Sequence, residues 1–128
     1  MDWSIKRYHS PNYFRVKLSG RFQMPQFRKL LDEIILDKDW KPGSAVLFDD
    51  RGMTISEMSE AELQSASDVF VKNSRLFLHG KIAVLVDTKS DFEAGLRFAA
   101  NTQPIFPAMI EVFTNEKETL EWLADDTF

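Results

Sequence analysis

Gly80-Lys81-Ile82-Ala83-Val84-Leu85-Val86 puts an unbroken apolar run behind a glycine. A short continuous run of this kind, rich in β-branched residues, reads as a strand buried on both faces, the habit of parallel sheets. Ala45-Val46-Leu47-Phe48 repeats the pattern and ends in Asp49-Asp50. Between the two runs, after an expected loop over Arg51 to Ser56, Ser59 and Glu62 stand at capping-box spacing. Leu63, Ala66, Phe70 and Phe77 then line one side of a long helix. Two buried strands joined by an amphipathic helix make a βαβ unit, whose crossover is right-handed.

The flanks extend this unit in both directions. Trp3 to Tyr8 and Tyr13 to Leu18 alternate apolar with polar, and the turn-rich His9-Ser10-Pro11-Asn12 between them predicts an antiparallel hairpin. Pro25 suits the first turn of a helix whose apolar stripe is Phe27, Leu30, Leu31, Ile34 and Ile35. Lys41-Pro42-Gly43 stops that helix. After Val86, Ser90 and Glu93 repeat the capping-box spacing ahead of Phe92, Leu96, Ala99 and Ala100. Met109 to Phe113 is a last strand, with Glu111 arguing for an edge position or a solvated face. Asn115 caps a final helix that buries Leu120 and Leu123, with Trp122 beside them.

The expected fold is α/β: one domain over residues 1–128, in the order ββαβαβαβα, with a five-stranded mixed sheet and four helices. If the parallel strands lie in sequential order, all helices share one face. Alternate residues of the two buried strands then leave an apolar second face uncovered, and a homodimer is the expected cover.

Composition narrows function more by exclusion than by indication. Sixteen Lys+Arg against twenty Asp+Glu give a net charge of -4, so no basic field holds a nucleic acid. The chain contains no cysteine, which removes thiolate chemistry and fits a cytoplasmic location. No apolar run reaches the ~18 residues of a transmembrane segment. Neither a dinucleotide-binding glycine motif nor a P-loop occurs, and no His or Cys pair has zinc-ligand spacing, so no cofactor is expected.

Val46 to Arg51 followed by a long helix, and Gly80 to Val86 leading on to Val112-Phe113-Thr114-Asn115-Glu116 and the closing Trp122-Leu123, resemble the SpoIIAA-like branch of the STAS superfamily. The resemblance implies a sheet of β-α units in superhelical order, no catalysis, and a role in protein–protein switching or small-ligand sensing. Anti-anti-sigma members of that superfamily carry Asp-Ser-Ser-Gly at the start of the helix after the central strand, with the first Ser phosphorylated. Here Glu57, Met58, Ser59 and Glu60 fall on those positions, so the phosphoacceptor is replaced by Met58.

The residues themselves offer three candidate surfaces. Asp49, Asp50 and Asp87 end strands at the carboxyl edge, where open α/β sheets bind ligands, and three carboxylates there could hold Mg²⁺ for phosphotransfer. Arg51 stands where an aspartyl phosphatase needs a second Asp, however, and solvated strand ends paired with Arg51 are the plainer reading. Ser59 is better explained as a helix cap than as a nucleophile, because His9 and His79 lie on loops away from it. Among eleven phenylalanines, Phe92, Phe98 and Phe106 could line an apolar pocket for a small lipid-like ligand. The leading expectation is a non-enzymatic interaction or regulatory module whose partner is another protein or itself. A carrier or sensor of a small apolar ligand is the alternative, and a metal-dependent enzyme a distant third.

Overall fold

Strands β1 (Asp2–His9) and β2 (Asn12–Gly20) pair antiparallel, with Trp3 opposite Leu18 and Tyr8 opposite Tyr13. The computed structural model describes residues 1–125. The chain continues through α1 (Met24–Leu36), β3 (Val46–Met53), α2 (Glu60–Lys72), α3 (Ser74–Phe77) and β4 (Lys81–Leu85). It ends with α4 (Lys89–Thr102), β5 (Met109–Phe113) and α5 (Glu116–Ala124). The sheet order is β1-β2-β3-β4-β5, parallel from β2 onward. This is the mixed five-stranded α/β architecture the sequence leads one to expect, with four main helices. Glu111 is exposed on β5, which is an edge strand.

Local details differ in three places. β3 does not stop at Phe48 but runs to Met53, so Asp49, Asp50 and Arg51 are strand residues and not a strand end with its loop. The long helix breaks at Asn73, whose side-chain amide donates to the Val69 carbonyl at 2.7 Å, and Phe77 sits on the separate short helix α3. Thr88, not Ser90, caps α4: its hydroxyl accepts the Asp91 N–H at 3.1 Å. The capping rule holds, but the chain applies it two residues earlier.

Helices α1, α2 and α4 cover one face of the sheet. Phe70 on α2 is the hub of that core, its ring meeting Phe27, Phe48, Phe77, Phe98 and Phe106 at centroid distances between 5.4 and 6.0 Å. Ser67 and Thr102 share a hydrogen bond of 2.7 Å that ties α2 to α4 inside it.

The second face is closed by α5, which corrects the expectation that all helices share one side. Leu123, with Leu120 and Trp122 packed alongside, lies over Tyr13, Leu47, Ala83 and Leu85. The physical reason is topological. α1, α2 and α4 are right-handed crossovers between successive parallel strands, so they must fall together. No strand follows α5 within the described residues, and no handedness rule binds it. Both ends of α5 are fastened. Glu116 in its first turn pairs with Arg15 and Arg51, while Lys81 Nζ donates to the carbonyl of Trp122 at 2.6 Å and to that of Asp125. A cation at the carbonyl end also suits the helix dipole. With Leu47, Ala83 and Leu85 fully buried by the chain's own helix, no partner subunit is needed to cover this face.

Candidate functional site

Two adjacent aspartates of β3 face opposite sides of the sheet, because side chains alternate along a strand. Asp49 follows Leu47 to the α5 side, and Asp50 follows Phe48 to the side of α2 and α4.

Asp49 is 2% exposed and fully engaged. Arg51 approaches it with two parallel bonds, Nε to Oδ1 at 2.9 Å and Nη2 to Oδ2 at 2.8 Å, and Arg15 Nη2 donates to Oδ2 at 2.9 Å. The same two guanidinium groups meet Glu116. Burial alone would raise the Asp49 pKa, but the hydrogen bonds from Arg51 and Arg15 outweigh it and hold the carboxyl down at about 2. The cluster is a structural clamp that joins β2, β3 and the start of α5. With the Arg51 backbone N–H also donating to Oδ1 at 3.3 Å, no lone pair of Asp49 is left free for a metal ion in this arrangement.

Asp50 is the opposite case. No cation pairs with it among the described residues, and its Oδ1 is buried without a hydrogen-bond partner. Burial, with smaller contributions from the Asp49 and Asp91 charges, pushes its pKa up to about 8. At neutral pH it is therefore mostly a neutral acid, with one O–H to donate.

This carboxyl lines a cavity of about 70 Å³ between the sheet and helices α2 and α4. The walls are apolar: Phe27, Phe48, Leu63, Phe70, Ile82 and Val84 are buried core residues. Met1, Met58 and Phe98 retain partial exposure and mark the mouth, beside Asp50 itself. Gly95 also borders the space, and a Cβ there would stand 2.8 Å from Val112 Cγ1, so α4 approaches β5 as closely as a glycine allows. An engineered apolar cavity that holds benzene measures ~150 Å³. The present one has about half that room, enough for a short aliphatic group and too little for an acyl chain.

The residues singled out from sequence are thus dispersed. Asp49 and Arg51 form the clamp, Asp50 lines the cavity, and Asp87 is exposed beyond β4. Among the described residues no group of three carboxylate or imidazole side chains could hold a metal ion. The convergent site of three aspartates is therefore not formed, because strand alternation sends Asp49 and Asp50 to opposite faces. Ser59 caps α2 as expected, accepting the Glu62 N–H at 3.1 Å while Glu62 accepts the Ser59 N–H at 3.0 Å. Of the three phenylalanines, only Phe98 lines the cavity. Phe92 packs half-buried on the core, and Phe106 is buried against Phe70 and Phe77. Of the lining residues that sequence reading missed, Phe48 carried a signal, since in a strand Asp50 must share its face; Met53 did not, because it reaches the cavity past an irregularity in β3.

Comparison with known proteins bears on the fold. No family model matches the chain, and no curated protein matches it. Among solved structures, it is similar to an uncharacterized protein of the DUF3478 family with a SpoIIAA-like fold from Shewanella loihica PV-4, with a TM-score of 0.63 and 17% sequence identity. The match covers 95% of this chain and 92% of that one. The fold is SpoIIAA-like. Identity this low carries architecture and nothing of activity. Separately, no helix among the described residues is long and apolar enough to cross a membrane.

Proposed function

We propose that this chain is a non-enzymatic binding module that takes a small, largely apolar ligand in the cavity beneath α2 and α4. The observation that carries the reading is the cavity itself: buried apolar walls, a mouth edged by methionines, and one polar group, Asp50, with its hydrogen-bonding capacity unspent. Methionine side chains have several rotatable bonds and adapt to occupants of different shape. The volume of about 70 Å³ selects a short aliphatic group over the lipid-like molecule that the phenylalanine content suggests. The engagement of Asp49 by two arginines supports binding over catalysis. A regulatory role in which ligand occupancy alters a protein partner fits the same site but needs no second subunit to complete it.

The test uses ethanol, small enough for the cavity, as a neutral probe and the methionine methyl resonances as reporters. Met1, Met53 and Met58 line the cavity, while Met24 and Met109 do not. Saturable shifts of the first three with the last two unmoved are expected, with a Kd in the millimolar range for so small a ligand. Uniform or absent shifts would remove the reading.

A further inference from the structure

From the unpaired carboxyl at the mouth of an otherwise apolar cavity, we infer that the ligand is a short aliphatic amine, bound as its ammonium ion against Asp50. This inference rests on the ligand-binding reading above and names the head group.

Three buried side-chain atoms among the described residues lack a hydrogen-bond partner: Gln26 Oε1, Trp40 Nε1 and Asp50 Oδ1. Of these only Asp50 lines the cavity, and it is the one titratable side chain there. A buried polar group without a protein partner is uncommon in folded proteins, and a bound ion is one way to satisfy it. The charges that reach Asp50 are both negative. Asp49 does so across the strand, and Asp91 from α4, where its Oδ1 accepts the Ser56 N–H at 2.9 Å. No Arg or Lys side chain lines the cavity. A carboxylate ligand would thus enter a negative field with no Arg or Lys side chain on the lining to meet it. An alcohol could bond Asp50 but gains nothing from the field. An ammonium ion offers charge-assisted hydrogen bonds, roughly twice as strong as neutral ones, and is favoured by both neighbouring carboxylates.

The proton balance makes the idea specific. Below the raised pKa of about 8, free Asp50 holds a proton. When the ammonium binds, that proton leaves to solvent and the ligand keeps its own, so one proton is released per amine bound. The apparent affinity for an amine then rises about tenfold per pH unit up to that pKa, while the affinity for an alcohol does not rise. Asp49, held at about 2, does not titrate in this window.

The experiment compares ethylamine, ethanol and acetate on the intact protein, read at the Met53 and Met58 methyl resonances. Ethylamine at least tenfold tighter than ethanol at about pH 8, with acetate weakest, is the expected result. Asp50→Asn, nearly isosteric, should bring amine and alcohol to equal affinity. An amine no tighter than the alcohol, an acetate preference, or an amine preference that survives Asp50→Asn or lacks the pH slope would each overturn the amine assignment and leave the apolar-ligand reading standing. Failure of all three probes to shift the cavity methionines would end both.

Discussion

Asp49 and Asp50 share a strand, a residue type and a nearly identical distance from the carboxyl edge, yet they live on opposite faces with opposite chemistry. On the α5 face, two guanidinium groups surround Asp49 and hold it ionised. On the face of α2 and α4, Asp50 meets apolar side chains and the repulsion of its neighbours, and holds a proton. The contrast teaches that burial does not decide the fate of a carboxyl. Partners do. The face that supplied partners became the rigid one, and the face that withheld them kept a polar group available to something else.

The largest effect should come from breaking the paired side. Asp49→Ala leaves Arg15 and Arg51 with only Glu116 to share, and the loss of a buried ion-pair partner costs about 3–5 kcal/mol. Urea denaturation at neutral pH measures it. Because Asp49 is depressed to about 2 in the folded protein, its contribution is complete above the unfolded value near pH 4 and fades as pH falls toward 2. Wild type and Asp49→Ala should therefore converge in acid. Convergence in base instead would mean the clamp is misassigned.

A smaller loss is expected on the thin cover of the same face. Leu123→Ala removes the main apolar contact of α5 and should cost about 2–3 kcal/mol. It should also raise the binding of an apolar fluorescent dye, since Leu47 and Leu85 lie beneath. An equal cost with no added dye binding would show that the charged fasteners at Glu116 and Lys81 hold α5 in place without Leu123.

The smallest effect has the opposite sign. With Asp50 raised to about 8, the folded state binds one more proton than the unfolded chain between about pH 4 and pH 8, so wild-type stability falls as pH rises through that window. Asp50→Asn cannot ionise and escapes the loss. It should be the more stable protein at neutral pH, by about 2 kcal/mol after allowance for its own unpartnered amide, and the order should reverse toward pH 4, where only the cost of the amide remains. A variant less stable than wild type at pH 7 would mean that Asp50 has an internal partner.

Much of the architecture was written locally. Apolar runs too short for helices named β3 and β4, alternation named the hairpin, and helical spacing named the stripes of α1, α2 and α4. The candidate site was less legible. The phenylalanine reading found Phe98 but took in Phe92 and Phe106, because a stripe on one helix cannot reveal which members reach a cavity shared with other elements. Reading Asp49 and Asp50 as a strand end hid the point that mattered: once β3 continues to Met53, alternation separates them.

What the sequence determined by itself is everything set by near neighbours and by chirality: the strands, the caps at Ser59 and Asn115, and the shared side of the three crossover helices. What only the tertiary structure decided is where α5 goes and what surrounds each aspartate. No crossover rule constrains a helix after the last strand. Its side is chosen by contacts between residues far apart in the chain, Arg15 with Glu116 and Lys81 with the carbonyl of Trp122. The same holds for charge. A carboxyl's proton is governed by what lies within a few ångströms, and for Asp49 and Asp50 the neighbours that only folding brings together are Arg15 of β2 and Asp91 of α4.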